Sequence, residues 1–509
     1  MKTPSYYCTW AAQNYLYGWN DPYLDATILE GDEGSQIACG YMREDAMFAP
    51  DGPAGFYPAA RENLFFLLDY GWDVDLKETR IWAGSCLANR DRFPGCPAEP
   101  WERLKYLNDR AKALGWGGVA IWLAAQTAPV LSEGRELSEA EQEAYWRERM
   151  EWSERAGVRY WKIDWGSRQA DIDFRVNMTR WARTSAPNLV IEHAYCQSCV
   201  NDSDDGWHND GLMIHDGRVN AQLIEKQARL LEHVDILRTY DIFGQLSVVE
   251  TVERIAALLK AMRGRKPTGR ALLNCEDECY ISASLGLCVG VMRHPMTGKR
   301  LNGDPDVMFP RNDRQFKRRI DEVTRTVAWQ QIMPAFGVCD EEAHVSEQIL
   351  TDSWTFSKGE TWLNSAIGQT VPQHAPAVVS RGMPLPEVSA EGDVPFVTAA
   401  RHGSCAAVAA HGRTKPEASW YEPLADVAIE LDDGVTDIGV FGRYKGLSIR
   451  GMHLKGKKIA ARDLCGGEWQ EIACDSSELV LDGALIETIG LKNAAPGDLS
   501  APGMHIKIS

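Results

Sequence analysis

The sequence predicts an α/β protein in which a (β/α)8 TIM barrel is followed by an antiparallel β-sandwich. Short apolar runs alternate with charge-rich amphipathic segments between about residues 60 and 330, which is typical of a parallel sheet covered by helices. With one further run near the N-terminus the runs number eight, as a barrel requires. After about residue 340 short β-like runs alternate with Gly, Asp and Pro turns. We therefore expect a barrel domain over 1–340 and a sandwich domain over 341–509.

The eight apolar runs are the predicted barrel strands. In chain order they are 6–10, 64–72, 117–125, 158–166, 188–195, 235–242, 271–278 and 285–292. Segments 100–115 and 138–157 are the clearest helices between them, because each ends in a glycine suited to a helix C-terminus.

The composition limits the classes of partner. The chain has 44% hydrophobic and 25% charged residues, as ordinary globular enzymes do, and a net charge of −18. An acidic surface repels phosphate backbones, so we expect no nucleic-acid partner. No apolar run approaches the roughly 20 residues that cross a bilayer, and the N-terminus does not resemble a signal peptide. A cytoplasmic protein without a membrane partner is the expectation, and a homo-oligomer is compatible with it.

The 13 cysteines are scattered and odd in number, which favours a reducing compartment over a disulfide framework. A zinc site would need Cys196 and Cys199 to meet Cys275 and Cys279 in space, and buried free thiols are the favoured interpretation. We expect neither a metal nor a cofactor.

Acidic residues lie at the ends of several predicted strands. They are Asp69, Asp164, Glu192, Asp241 and Glu276. A carboxylate at a strand end points into the mouth of a barrel, where active sites of this fold are found. One such residue could be a helix N-cap, but five in one barrel indicate a functional site.

Asp164 and Asp241 have the features of a catalytic pair. Cleavage of a glycosidic bond with retention uses two carboxyl groups about 5–5.5 Å apart, one as nucleophile and one as acid/base. Lys162 and Asp164 share one face of a strand, and a neighbouring ammonium keeps a nucleophilic carboxylate ionised. Asp241 would be the acid, which needs a raised pKa. Taken alone, Lys162–Asp164 is explained equally well as a structural ion pair, and Arg238 with Asp241 is better explained that way.

Six short motifs occur in a characteristic order. They are Tyr7–Trp10, Asp69–Trp72, Asp91–Gly95 followed by the helix Leu104–Leu114, Tyr160–Asp164, Arg238 with Asp241–Ile242, and Asn302–Met308. This series resembles the α-galactosidase families of clan D, glycoside hydrolase families 27 and 36. Each motif alone is weak, whereas their order over roughly 5–340 is specific.

The resemblance implies a retaining, exo-acting, α-galactosidase-like hydrolase of an oligosaccharide or glycoconjugate. Asp164 would be the nucleophile and Asp241 the acid/base. The implied substrate-binding residues are Trp10, Asp69, Tyr70, Trp72, Lys162, Glu192, Arg238 and Asp304. Trp10 and Trp72 would be walls that stack on the sugar, and Glu192 would reach its 2-position.

The chain departs from the family at four places. Tyr70 replaces the second of two adjacent aspartates that bind galactose hydroxyls, and a tyrosine cannot accept hydrogen bonds as a carboxylate does. The spacing from Arg238 to Asp241 is one residue shorter than in many relatives. The segment 192–195 differs from the usual Cys-Glu-Trp, and the acids of 275–278 have no counterpart, so a helix cap, a sugar site and a cation site stay open for them.

These departures leave alternatives open. The same chemistry could act on a β-L-arabinopyranoside, an α-N-acetylgalactosaminide or an α-glucoside. A catalytically silent carbohydrate-binding protein is a second class, against which the presence of both Asp164 and Asp241 argues. A metal-dependent isomerase or lyase is a third, distinguished by sensitivity to chelators. Trp122 and Trp165 could be sugar walls or barrel packing.

Overall fold

The structure is a computed structural model of the chain. It describes residues 1–17, 39–74, 85–126, 137–164, 166–195, 221–238, 245–295, 319–356, 368–417, 419–474 and 477–509. The predicted barrel is confirmed, because eight parallel strands form a closed sheet in chain order. Its closure is made by β1, which pairs with β2 on one side and β8 on the other.

Each barrel strand lies within one of the predicted apolar runs. The strands are β1 Tyr6–Cys8, β2 Phe65–Leu68, β3 Val119–Leu123, β4 Tyr160–Ile163, β5 Val190–Ala194, β6 Ile236–Arg238, β7 Leu272–Glu276 and β8 Cys288–Val291. They are covered on both faces, which explains why their sequences are continuously apolar rather than alternating.

Helices follow the strands in the manner of a TIM barrel. They are α1 Trp10–Tyr17, α2 Glu44–Met47, α3 Pro100–Ala113, α4 Glu139–Ala156, α5 Ile172–Ser185, α6 Ala221–Leu231, α7 Ser247–Ala261, α8 Cys279–Leu285 and α9 Asp321–Gln330. Short 3-10 turns span Pro53–Gly55 and Arg61–Asn63. Helix α4 begins with a capping box between Ser138 and Glu141 and ends at Gly157 with φ +74°, which confirms the predicted glycine stop.

Strand alternation divides the barrel residues into two layers. Tyr6 and Cys8 of β1 point into the barrel, whereas Tyr7 lies in the layer between strands and helices. On β4 the same alternation turns Tyr160 inward and Trp161 outward. It therefore directs the charged residues that follow Tyr160 at every second position toward the barrel axis.

The region after the barrel contains two stacked sheets, as predicted. The larger sheet has the order β22-β21-β24-β19-β15-β14-β12-β9 and the smaller β13-β18-β20-β23. The strands and the helix are β9 Ala343–Val345, β10 Ile349–Thr355, β11 Thr370–Pro376, β12 Val378–Arg381, β13 Glu387–Ser389, β14 Phe396–His402, β15 Cys405–His411, β16 Arg413–Lys415, β17 Ser419–Tyr421, β18 Asp426–Glu430, β19 Asp437–Phe441, β20 Gly446–Arg450, β21 Ile459–Asp463, β22 Gln470–Glu471, β23 Leu479–Asp482, α10 Gly483–Gly490 and β24 Gly503–Ile508. Strands β10 and β11, and β16 and β17, form separate hairpins.

Antiparallel pairs predominate in the sandwich, but β12–β14, β15–β19 and β18–β20 are parallel. Between the two strands of each parallel pair the chain contributes a strand to the other sheet, so it returns to the first sheet in the same direction. This crossing between sheets is a long-range property that local sequence patterns do not reveal.

Helix α9 attaches the barrel to the sandwich through a buried ion pair. Arg325 contacts the two carboxylate oxygens of Asp463 at 3.0 and 3.2 Å, and neither side chain has exposed surface. Nearby, the Tyr280 hydroxyl donates to the carbonyl of Ala501 at 2.7 Å. The domain boundary near residue 340 stays a prediction.

Replacement of Arg325 by leucine is expected to lower the free energy of unfolding by about 3–5 kcal/mol, because Asp463 would keep a buried charge without its cation. Urea unfolding of the whole chain measures the change. Arg450→Leu is the control, since Arg450 is half exposed where it pairs with Glu387 and Glu478, and it should hardly move the midpoint. Equal shifts in both variants would contradict the prediction.

Among the described residues, no helix is both long enough and apolar enough to cross a membrane. The cysteines of this part of the chain are free thiols, and Cys275 and Cys279 are buried. Cys196 and Cys199 lie outside the described residues.

Candidate active site

Six side chains from five strands of the barrel meet near its axis, at the C-terminal ends of the strands. They are Asp69, Trp122, Lys162, Asp164, Arg238 and Glu276, here called the central cluster. None of them is more than 5% exposed. Five of the six were singled out from the sequence as acids at strand ends or as substrate-binding residues.

Asp164 lies directly after β4 and is held through one oxygen. Its Oδ2 accepts from the indole Nε1 of Trp122 at 3.0 Å and contacts Lys162 Nζ at 3.2 Å and Arg238 Nη2 at 3.4 Å. Its Oδ1 is buried and has no hydrogen-bonding partner among the described residues. Oδ2 is therefore anchored, whereas Oδ1 receives no hydrogen bond from the described residues.

The backbone of Asp164 is fixed as well. Its amide donates to the carbonyl of Leu123 on β3 at 2.9 Å. Its carbonyl accepts from Arg175 of α5 at 2.9 Å, and the same guanidinium contacts the carbonyl of Ile163 at 3.0 Å. Sequence reasoning missed Arg175, whose only signal is an arginine on the buried face of a helix.

The surroundings keep Asp164 ionised. Burial alone raises the pKa of a carboxyl group, but Lys162 and Arg238, together with the Trp122 hydrogen bond, outweigh it, so the pKa of Asp164 is lowered. A carboxylate that attacks carbon must be ionised. The prediction that Lys162 performs this task agrees with the geometry, with Arg238 as a second cation.

Lys162 is shared between two carboxylates. Its Nζ lies 3.1 Å from Asp69 Oδ2 and 3.2 Å from Asp164 Oδ2. Burial and Arg238 lower the pKa of Lys162, but the neighbouring carboxylates of Asp69 and Asp164 outweigh them, so its pKa is raised and the ammonium form is stabilised. Since breaking a buried ion pair is costly, Lys162 couples β2 to β4.

Asp69 is also held by neutral donors. The Cys8 thiol lies 3.0 Å from its Oδ2, and the Tyr70 amide donates to its Oδ1 at 2.8 Å. Burial and the charge of Asp69 raise the pKa of Cys8, so the thiol keeps its proton and can donate it. Sequence reasoning did not identify Cys8 as part of the site.

The three acids of segment 275–278, which has no counterpart in the family, each have a partner in the structure. Glu276 belongs to the central cluster. Its carboxylate accepts from Arg238, the residue that also contacts Asp164. Asp277 pairs with Arg293, and Glu278 accepts from the hydroxyl of Ser247. Hydrogen bonds to neighbouring segments of the barrel therefore hold all three acids.

Glu192 is held by hydrogen bonds inside the barrel. Its Oε1 accepts from the Tyr6 hydroxyl at 2.9 Å, and its Oε2 accepts from the Tyr160 hydroxyl at 2.7 Å and from Asn274. The residue has no exposed surface. Glu192 is thus a hydrogen-bonded residue of the barrel interior, paired in register with Lys162 of the central cluster, and its contact with the sugar stays a prediction.

The structure corrects Trp72, which was predicted to stack on the sugar. Trp72 is fully buried in the layer between strands and helices, where its indole donates to the carbonyl of Trp122 at 2.9 Å. Trp10, at the start of α1, is partly exposed and packs on the barrel interior, so its stacking role stays a prediction. Tyr70 lies edge-on to Trp122 with ring centroids 5.3 Å apart, a contact the sequence did not indicate.

Several predicted residues belong to other parts of the chain. Asp241 and Asp304 lie outside the described residues, as do Trp165 and the segment 201–217. Their roles stay predictions. No group of three or more His, Cys, Asp or Glu side chains arranged to bind a metal occurs within the described ranges.

Comparison with known proteins gives similarity in architecture only. No protein-family model and no curated protein sequence matches the chain. A family 27 β-L-arabinopyranosidase from Geobacillus stearothermophilus is similar to it, with 10% identity, 100% of this chain and 97% of that chain covered, and a TM-score of 0.38. An α-N-acetylgalactosaminidase from Bacillus halodurans, provisionally so named, gives 10% identity, coverages of 100% and 97%, and a TM-score of 0.36.

An α-amylase from Anoxybacillus gives 9% identity, coverages of 99% and 97%, and a TM-score of 0.41. All three are glycosidases by name, but at this distance the similarity assigns no activity to the chain.

Proposed function

We propose that this chain is a retaining exo-glycoside hydrolase, α-galactosidase-like, with Asp164 as nucleophile and Asp241 as general acid/base. The observation that carries the proposal is the state of Asp164. It is an ionised carboxylate at the C-terminal end of a barrel strand, anchored through Oδ2 and free of partners at Oδ1 among the described residues. The ordered series of family motifs supports the same assignment.

The reaction is a double displacement. Asp164 attacks the anomeric carbon while Asp241 gives its proton to the departing glycosidic oxygen, so that a glycosyl ester forms and the aglycone leaves. Asp241 then takes a proton from water, the water oxygen attacks the same carbon, and Asp164 is released as a carboxylate. The second step returns the proton to Asp241 and the free carboxylate to Asp164. Because the carbon is attacked twice, the anomeric configuration is retained.

The charges of the central cluster fit such a transition state. Positive charge develops on the sugar ring as the glycosidic bond breaks. The cluster contains three carboxylates, Asp69, Asp164 and Glu276, against the two cations Lys162 and Arg238. A buried site with excess negative charge and fixed geometry stabilises a developing cation better than mobile water does.

The substrate proposed is an oligosaccharide or glycoconjugate with a terminal galactose-like sugar. Because Tyr70 stands where the family has a second aspartate, β-L-arabinopyranoside, α-N-acetylgalactosaminide and α-glucoside are the alternatives. A panel of aryl glycosides of galactose, arabinose, N-acetylgalactosamine and glucose, in both anomers, tests the proposal. Turnover of one α-galactoside-like member is expected; binding without turnover across the panel would identify a carbohydrate-binding protein instead.

Asp241→Ala is expected to slow substrates with poor leaving groups by roughly 10²–10⁴-fold, because these need protonation as they depart. An activated aryl glycoside of the same sugar should be affected far less in its first step. Rates measured with a pair of leaving groups of different pKa give the comparison. A loss of equal size on both would rule out the acid role of Asp241.

A further inference from the structure

We propose that Asp164 attacks through Oδ1 and that Trp122 is the positioning residue that fixes this choice by donating its indole N–H to Oδ2. This inference deepens the proposed glycosidase function and rests on it. It assigns a role to Trp122, for which the sequence left two alternatives open: a wall that stacks on the sugar, or packing within the barrel.

Trp122 is held in place from two sides. Trp122 lies on β3 and pairs in register with Lys162 of β4. Asp164 follows Lys162 by two residues on the same chain segment, so it lies close to Trp122. The Trp122 ring lies edge-on to that of Tyr70 with centroids 5.3 Å apart, and its carbonyl accepts from Trp72 at 2.9 Å. Since the side chain is buried and braced, its N–H points in a fixed direction.

The two cations cannot select the oxygen as sharply. Lys162 lies at nearly equal distances from Asp69 and Asp164, and Arg238 is shared between Asp164 and Glu276. An ammonium acts largely as a point charge with three rotatable donors. An indole has one donor in one direction, so when it points at Oδ2 it fixes the plane of the carboxylate.

The same hydrogen bond suits the covalent intermediate. After attack by Oδ1 that oxygen is esterified to the anomeric carbon, and Oδ2 becomes the ester carbonyl. Oδ2 can still accept from Trp122, so neither group has to move between the two steps. In the free protein the bond also stabilises the ionised carboxyl: burial raises the pKa of Asp164, and Trp122 helps to lower it, after the larger effects of Lys162 and Arg238.

Trp122→Phe removes the N–H and keeps an aromatic ring. Hydrogen bonds to charged groups contribute enough that kcat/KM should fall roughly tenfold or more. Because activity needs the ionised form of Asp164, its loss on acidification follows the pKa of Asp164. Without the Trp122 donor that pKa rises, so the acid limb of the kcat/KM profile should move to higher pH.

Trp161→Phe is the matched control. Trp161 is fully buried on β4, and its indole donates to Ser153 at 3.0 Å in the outer layer, away from Asp164. The substitution removes an equally short indole hydrogen bond, so it should leave the acid limb where it is in the parent protein. A fall in rate with an unmoved acid limb in Trp122→Phe would mean that Trp122 only packs, and would overturn the inference.

A second measurement needs no variant. The parent protein is trapped with a 2-deoxy-2-fluoro derivative of the glycoside it hydrolyses, and the structure of the ester is determined. An ester through Oδ1, with Oδ2 bonded to Trp122, is expected; an ester through the oxygen that faces Trp122 overturns the inference. If no ester forms on Asp164, or the parent turns over no glycoside, the proposed function itself fails.

Discussion

Asp164→Asn should reduce turnover of the best aryl glycoside by roughly 10⁴-fold or more, because a carboxamide cannot form the glycosyl ester. The variant should fold, since asparagine has nearly the same shape and its amide oxygen can accept from Trp122. Steady-state rates with an activated aryl glycoside measure the loss, and the far-ultraviolet circular dichroism spectrum checks the fold. Turnover near that of the parent would remove Asp164 as the nucleophile.

Asp235→Asn provides the matched control for this experiment. Asp235 is buried immediately before β6, at the N-terminal end of the barrel, and accepts from the amide of Ile191 at 3.3 Å. Burial raises its pKa, so a neutral side chain is tolerated there. Residues at that end of a TIM barrel affect stability rather than catalysis. We expect normal turnover, which would show that the Asp164 effect depends on position and not on losing a buried carboxylate.

The sequence was most informative where the structure follows strand periodicity. Lys162 and Asp164 lie two apart on β4, and the structure directs both toward the barrel axis. Continuous apolar runs identified every barrel strand, because each is covered on both sides. These inferences need only the local geometry of a strand, and they include the residue on which the proposed function depends.

Glu192 differs from the other predicted acids in its position along its strand. Asp69 and Asp164 come directly after their strands, whereas β5 continues to Ala194, two residues beyond Glu192. Two residues along a strand correspond to about 6–7 Å in depth. Since sequence patterns locate element boundaries only approximately, they could not distinguish a carboxylate at the mouth from one inside the barrel.

Side-chain contacts between neighbouring strands could not be predicted from the sequence either. The sequence left a sugar wall and barrel packing open for Trp122, and its hydrogen bond to Asp164 depends on the relative register of β3 and β4. Trp72 was predicted to stack on a sugar from the resemblance of its motif, whereas it follows Gly71, with φ +105°, and lies in the layer between strands and helices. Side-chain direction after such a turn does not follow the alternation of the strand.

Lys162→Met is expected to affect stability and catalysis together. The substitution leaves Asp69 and Asp164 in the barrel interior without the cation they share, so the free energy of unfolding at pH 7 should fall by about 3–5 kcal/mol. The folded-state pKa of Lys162 is raised, so its stabilising effect is fully present at neutral pH and would be lost only as pH rises through that pKa. The parent and the variant should therefore differ strongly in urea at pH 7.

The pH dependence separates the charge of Lys162 from its packing. Without Lys162 the pKa of Asp164 rises, so the acid limb of kcat/KM should move to higher pH. Acidification then protonates Asp164 in the variant and removes the buried charge, so the difference in stability from the parent should shrink as pH falls. A stability difference that stays constant over this range would mean that methionine is only a poorer fit.

Lys445→Met is the control that decides how much burial matters. Lys445 also bridges two carboxylates, Glu391 at 3.4 Å and Asp426 at 3.5 Å, but its side chain is 55% exposed. Water screens these charges, and ion pairs of this kind contribute little to folding. We expect almost no shift in its urea midpoint. Similar shifts for Lys445→Met and Lys162→Met would contradict the view that Lys162 is a buried cation on which both the fold of the barrel and the ionisation of Asp164 depend.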